Sequence, residues 1–215
     1  MYIPDHFEER DVAVLHALVR SHPLGTWVMA VDGKLVVNHI PFIIDETQGQ
    51  FGTLIGHVAR ANTVWRTASN GIESVVVFQG PQSYITPSWY SSKHEHGKVV
   101  PTWNYAVVHA HGMPQVVEDQ AWLLRHVEKL TGIHESARET PWHVTDAPSD
   151  YVGALLKAIV GIEIPINLLV GKWKTSQNRS VPDRRGVAAG LQAIGDDEAR
   201  QMAQLVQERL NSSEG

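Results

Sequence analysis

The chain has 215 residues, 43% of them hydrophobic, and a formal charge of −5 with neutral histidines. That length and apolar content predict one globular domain, or one domain plus an accessory element, with a sizeable core, and the acidic balance excludes a chain-wide positive field for nucleic acid. Cysteine is absent, which excludes disulfides, thiolate nucleophiles, cysteinyl zinc sites and iron–sulfur clusters.

No apolar run approaches a membrane span, and MYIPDHFEER lacks the charged-then-apolar plan of a signal peptide, so a cytoplasmic protein is expected. Asp11 can cap a helix running to about Ser21, with Val12, Leu15, Leu18 and Val19 as its apolar stripe. His22-Pro23 stops it. TWVMAV and LVVNHIPFII read as strands joined at Asp32-Gly33, a strong hairpin signal. FGTLIGHV reads as a third strand running into ARANTVWRTAS, a short helix closed by Asn70-Gly71. IESVVVFQG predicts a central strand interrupted at Pro81, with SYITPSWY as a further extended segment and SSKHEHGK as a polar loop. EDQAWLLRHVEKLTG predicts an amphipathic helix, with Ala121, Leu124, Val127 and Leu130 among its apolar positions. SDYVGALLKAIVG predicts another ending at Gly161. IEIPINLLVGKWKTS returns to extended structure, and DDEARQMAQLVQERL predicts a last helix, acidic at its N-terminus as the dipole favours.

Strands joined by short turns, with helices inserted later, predict a mainly β fold: a small antiparallel β-barrel with peripheral helices. The segment VVPTWNYAVVHAHG, Val99 to Gly112, sharpens this. In a strand its two faces would carry Val99, Pro101, Trp103, Tyr105, Val107, His109 and His111 on one side, and Val100, Thr102, Asn104, Ala106, Val108, Ala110 and Gly112 on the other. Neither face is written for water, so the strand is expected to lie between a barrel interior and a dimer interface.

Two segments could carry chemistry. In LIGHVARANTVWR a strand ends where Arg60 and Asn62 could bind an anion at a helix start, or be a solvated arginine and a local cap. GKWKTSQNRSVPDRR holds Lys172, Lys174, Arg179, Arg184 and Arg185 against one acid, Asp183, for a local charge of +4. It could hold a phosphorylated cofactor or touch nucleic-acid phosphates, or pair with the acidic last helix. His94-x-His96 and His109-x-His111 do not complete a zinc set, and no GxSxG, GxGxxG or P-loop occurs, so no metal is expected.

With these residues in view, the chain resembles the PaiB family of FMN-binding proteins, named as negative transcriptional regulators. The matching segments are MYIPDHF, HPLGTWV, NHIPF, LIGHVARAN, FQGPQSYITPSWY, HGKVVPTWNYAVVHAHG, HESARETPWHV, AIVGIEIPI and GKWKTSQNR. The resemblance implies an FMN-binding split β-barrel of the pyridoxamine-phosphate-oxidase-like type over residues 1–215, with helical insertions around 118–161 and a C-terminal helix around 196–211. It also implies a homodimer with FMN at the subunit interface. Carried onto this chain, it nominates Arg60 and Asn62 for the FMN phosphate with His57 and Ala59 beside them, and puts Asn38 and His39 on a strand facing the flavin. It adds Thr102, Trp103 and Asn104 near the interface, and Lys174, Gln177 and Asn178 from KWKTSQN; the family more often has Leu where this chain has Thr175. The implied function is an FMN-binding regulator sensing a metabolite or redox state, with possible DNA contact through Arg179, Arg184 and Arg185. A flavin oxidoreductase, or a haem-binding or haem-degrading protein of the same fold, is the alternative.

Overall fold

The computed structural model describes residues 1–68 and 71–211. In chain order the strands are β1 Glu8–Glu9, β2 Leu24–Val31, β3 Lys34–Pro41, β4 Ile43–Asp45, β5 Thr53–Ala59, β6 Ser74–Ile85, β7 Thr102–Gly112, β8 Gln115–Val117 and β9 Ile159–Lys174. The helices are α1 Val12–Ser21, α2 Val64–Ala68, α3 Ser92–His96, α4 Gln120–Glu135, α5 Ser149–Lys157, α6 Val181–Ile194 and α7 Asp197–Asn211. Among the described residues the strands follow the order β3-β2-β6-β7-β9-β5-β4, with β1 and β8 also pairing β9. β3 and β4 end this path, so the sheet is an open, split barrel rather than a closed one. No helix among the described residues is long and apolar enough to cross a membrane.

The chain divides into two compact units. One comprises Val19–Phe78 and His109–Leu169. Its hairpin β2–β3 pairs Val31 with Lys34 across Asp32 and Gly33, whose φ values of 48° and 74° give the paired left-handed residues of a two-residue turn. β5 pairs β4 on one side and β9 on the other, from Thr53↔Pro165 to Ala59↔Ile159. Trp27, Leu54, Ile162 and Ile164 are fully buried here, and Phe42 meets Phe78 edge-on at 6.2 Å. The Asp119 carboxylate accepts the Trp122 N–H at 2.7 Å and starts α4.

The other unit comprises Met1–Leu18, Gln79–Val108 and Val170–Gly215. Asp11 caps α1 by accepting the Ala13 N–H at 2.9 Å. Its core joins Ile85 and Tyr90 to Val187 and Leu191 of α6 and Met202, Val206 and Leu210 of α7. Asp183 ties α6 to the chain before it, accepting from the Ser91 hydroxyl at 3.1 Å and from the Ser92 amide and hydroxyl at 3.0 and 2.8 Å.

Several boundaries differ from the sequence expectations. β6 runs through Pro81 to Ile85, and Gly80 and Pro81 are consecutively buried, which shifts the alternation by one residue as a bulge does. α5 ends at Lys157, and the AIVG that continued its apolar pattern enters β9 instead. SSKHEHGK contains the short helix α3, closed by Gly97 at φ 67°. α2 begins only at Val64; Asn70 of its expected end lies outside the described residues, while Gly71 has φ 69°. α6 was not expected at all. In β7, Asn104, Ala106, Val108, Ala110 and Gly112 are buried, whereas Trp103, Tyr105, His109 and His111 on the other face remain partly exposed.

Candidate functional site

β5 delivers His57 and Ala59, and the chain then turns through residues 60–63 before α2. The turn is closed by the Asn62 N–H donating to the Ala59 carbonyl at 2.9 Å. The Asn62 side chain works in two directions. Its oxygen accepts the Val64 N–H at 3.1 Å, and its Nδ2 donates to Asn38 Oδ1 on β3 at 2.7 Å. Asn38 is half-buried, whereas His39 is exposed on the opposite face of β3, so the two cannot address one ligand from the same side of the strand.

Arg60 is held in place. Its Nε donates to the Lys157 carbonyl at 2.9 Å, Nη2 to the Ile159 carbonyl at 3.2 Å, and Nη1 to the Glu118 carboxylate at 2.5 Å. Its guanidinium also lies 5.7 Å from the centre of the Trp65 ring, whose Nε1 donates to the Arg60 carbonyl. A guanidinium has five N–H donors, so among the described residues the three bonds leave one N–H on each terminal nitrogen of a side chain that is already oriented.

The second set of nominated residues belongs to the other unit. Lys174 Nζ at the end of β9 donates to the Thr102 hydroxyl at 2.5 Å. Burial, then the neighbouring Lys172 and Arg179, hold the Lys174 ammonium below the usual lysine range. Asn104 is fully buried and donates to the Ser176 hydroxyl at 2.9 Å; Ser176 turns the chain at φ 67°. Gln177 closes this turn with both ends of its amide, accepting from the Thr175 N–H at 2.7 Å and donating to the Trp173 carbonyl at 2.5 Å. Asn178 is exposed. Trp103 is 47% exposed and donates to Gln82 at 3.1 Å.

Of the three arginines considered for DNA, Arg184 is buried at 5% exposure within α6, and Arg179 lies over the Tyr90 ring at 4.7 Å. Arg185 is exposed. No group of three or more histidine, aspartate or glutamate side chains among the described residues could hold a metal.

Sequence reasoning missed the residues surrounding His57. Its Nδ1 lies 2.9 Å from Nε2 of His126 on α4, and Trp122 stacks on the His126 ring at 5.4 Å between centroids. Trp122 Nε1 in turn donates to Glu163 of β9 at 2.9 Å. Burial lowers the pKa of both imidazoles, that of His126 to about 4. The available signal was positional: His126 follows Leu123 by three residues, and these two form the buried stripe of α4.

Residues 1–168 match the family model described as "Putative FMN-binding domain". Protease synthase and sporulation protein PAI 2 of Bacillus subtilis is 31% identical over 210 residues, covering 98% of both chains. This chain belongs to the PaiB-like FMN-binding family. An uncharacterized protein of Emericella nidulans is 34% identical over 244 residues, covering 97% of each chain. Among solved structures, an FAD and heme binding protein from Mycobacterium smegmatis aligns with a TM-score of 0.59 at 15% identity, covering 85% of this chain and 80% of its own. The flavocytochrome Anf3 from Azotobacter vinelandii aligns at 0.56 and 11% identity, covering 80% and 72%. At those identities the likeness is one of fold, and it agrees with the open antiparallel sheet. FMN is the cofactor of this PaiB-like family, and the donor chemistry of the Arg60 turn fits it: an oriented arginine with two N–H groups to spare suits an anionic phosphate.

Proposed function

We propose that the protein is a homodimeric FMN-binding regulator of the PaiB type, with the flavin phosphate received at the turn carrying Arg60 and Asn62. The observation that supports this most directly is the fixed Arg60 guanidinium with its two remaining donors, since a pre-oriented arginine loses little entropy on meeting a phosphate. Asn38, His57 and Ala59 frame that turn. In the other unit, Lys174, Thr102 and Asn178 are donors of the kind that ring oxygens or phosphate accept, while Asn104 and Gln177 hold the strand and turn that carry them. Trp103 offers an exposed ring for contact with the flavin or the second subunit.

The dimer has support in the hairpin β2–β3. Leu24, Leu35 and Val37 are 61%, 74% and 51% exposed, and the register Val28↔Val37 and Leu24↔Pro41 gathers them on one face with His39. These exposed apolar side chains flank the Thr26↔His39 pair on one face, and a second copy of the chain would cover them. A regulatory contact with DNA would draw on Arg179 and Arg185.

The test is the absorption spectrum and light scattering of freshly purified protein, followed by DNA titration at two salt concentrations. A flavin band identified as FMN on a dimer, with salt-dependent DNA binding lost in Arg179→Ala/Arg185→Ala, is expected. A flavin-free monomer that FMN does not bind would overturn the proposal. Rapid NAD(P)H-driven turnover without DNA binding would move it to an oxidoreductase, and a Soret band on haem addition to a haem protein.

A further inference from the structure

The His57–His126 pair has more chemistry than the flavin assignment uses. The two rings share one hydrogen bond, between His57 Nδ1 and His126 Nε2 at 2.9 Å. The other nitrogen of His126, Nδ1, is buried and has no hydrogen-bond partner among the described residues. His126 itself is only 4% exposed. A neutral imidazole has one N–H and one lone pair. If the His126 proton sat on Nδ1, a strong donor would be sealed away unpaired; if it sits on Nε2, the orphan is a lone pair. Orphaned buried donors are the rarer and costlier case.

We infer that His126 is a positioning residue: it donates from Nε2 to His57 Nδ1 and thereby fixes His57 as the tautomer whose proton is on Nε2. The ring is locked for this task. Trp122 stacks on it with an interplanar angle of 22°, and the Trp122 indole is anchored on Glu163. His57 then keeps a single outward role, donating from Nε2 to an acceptor, at the end of the strand that leads into the Arg60–Asn62 turn. An acceptor-rich flavin is the ligand class this serves, and that part of the inference rests on the proposed flavin site.

The groups bearing on the pair are Lys129 on α4, which disfavours protonation of His126, and Glu163 on β9, whose carboxylate is taken up by Trp122. Burial lowers the pKa of both rings, so both are neutral at pH 7 and the tautomer is the state that matters.

The tautomer can be read without flavin from long-range 1H–15N spectra of histidine-labelled protein, with His57 assigned by its loss in His57→Gln. In the wild type a pyridine-like Nδ1 and a protonated Nε2 are expected for His57. His126→Gln retains a donor to His57 and should preserve the pattern. His126→Leu removes the donor, so His57 should show both tautomers, and FMN affinity should fall about tenfold, as for one neutral hydrogen bond. A wild-type His57 protonated at Nδ1 would overturn the inference whatever happens to flavin binding. The expected tautomer with equal FMN affinity in wild type and His126→Leu would uphold the pair and overturn the flavin role of His57. Circular dichroism confirms that each variant is folded.

Discussion

Replacing Gly161 by alanine tests the packing that the His57 environment depends on. Gly161 sits in β9 opposite His57 of β5 and Val117 of β8. A Cβ there would lie 2.8 Å from Cη2 and 2.9 Å from Cε3 of Trp122, and closer still to Cζ3. These are the atoms of a rigid ring that cannot bend away, and the ring is fixed by Glu163 on one side and stacked on His126 on the other. Overpacking of this kind costs about 1–3 kcal/mol, and loss of the charge-assisted Trp122–Glu163 bond as the ring shifts adds about 1.5–3 kcal/mol. Partial relaxation makes a net loss of about 2–4 kcal/mol the expected outcome, read as a lower urea midpoint at constant slope by far-ultraviolet circular dichroism. The double-mutant cycle isolates the cause. In a Trp122→Ala background the same change should be neutral or gain about 0.4–1 kcal/mol from the stiffer unfolded chain. Wild-type stability in Gly161→Ala, or an equal loss in both backgrounds, would refute the reasoning.

Arg60→Ala should weaken FMN by roughly one to two decades and riboflavin much less, because it removes a charge-assisted phosphate contact of about 1.5–3 kcal/mol; fluorescence titration with both flavins checks this, and equal weakening means Arg60 does not read the phosphate. The His126 pKa of about 4 lies below its ordinary value of 6.5, so the unfolded chain binds the extra proton first. Stability should therefore decline as pH falls from about 6.5 to about 4 and flatten below, and a melting-temperature series should show a shallower decline in His126→Gln. Desolvation would raise the Asp183 carboxyl, but bonds from Ser92, Ser91 and Ser180 outweigh it and hold the pKa below the ordinary range. Its stabilisation is thus present above the unfolded value and lost as pH falls through the folded one, and Asp183→Asn should weaken that acid dependence in urea titrations below pH 4.

The elements legible in the sequence were those whose signals are local. Asp32-Gly33 specifies a two-residue turn wherever it occurs between strands, and Asp11 and Asp119 cap their helices from side chains two or three residues away. α6 carried equally local signals, with Ser180 as cap, Pro182 in the first turn and Gly195 at φ 81° closing the end. Counting the charges of Gly171–Arg185 as one segment hid them. In the structure that stretch divides into strand, turn and helix, and α6 buries Arg184 while leaving Arg185 outside. Charge counted along a sequence says nothing about which guanidinium reaches the surface. The resemblance supplied the flavin and its nominated residues, but the partners of Arg60 come from about a hundred residues away and could not be read from spacing.

The same limit explains why the His57 environment turns on a glycine. A strand repeats its facing every two residues, so a slip of one residue between β5 and β9 would exchange every side chain facing a given side. In the observed register His57 faces Gly161, and the neighbouring pairs place Val58 against Val160 and Gly56 against Ile162. The missing Cβ at Gly161 leaves room for the Trp122 ring to lie against the strand, and that ring carries the stack on His126. Shifted by one in either direction, a β-branched Val160 or Ile162 would stand opposite His57, and the indole could neither approach nor hold His126 within reach. The carbonyl of Ile159, which Arg60 uses, would move with it. The register of one strand pair therefore sets the His57–His126 hydrogen bond and the orientation of Arg60 at once, and Gly161 is the residue through which packing enforces it.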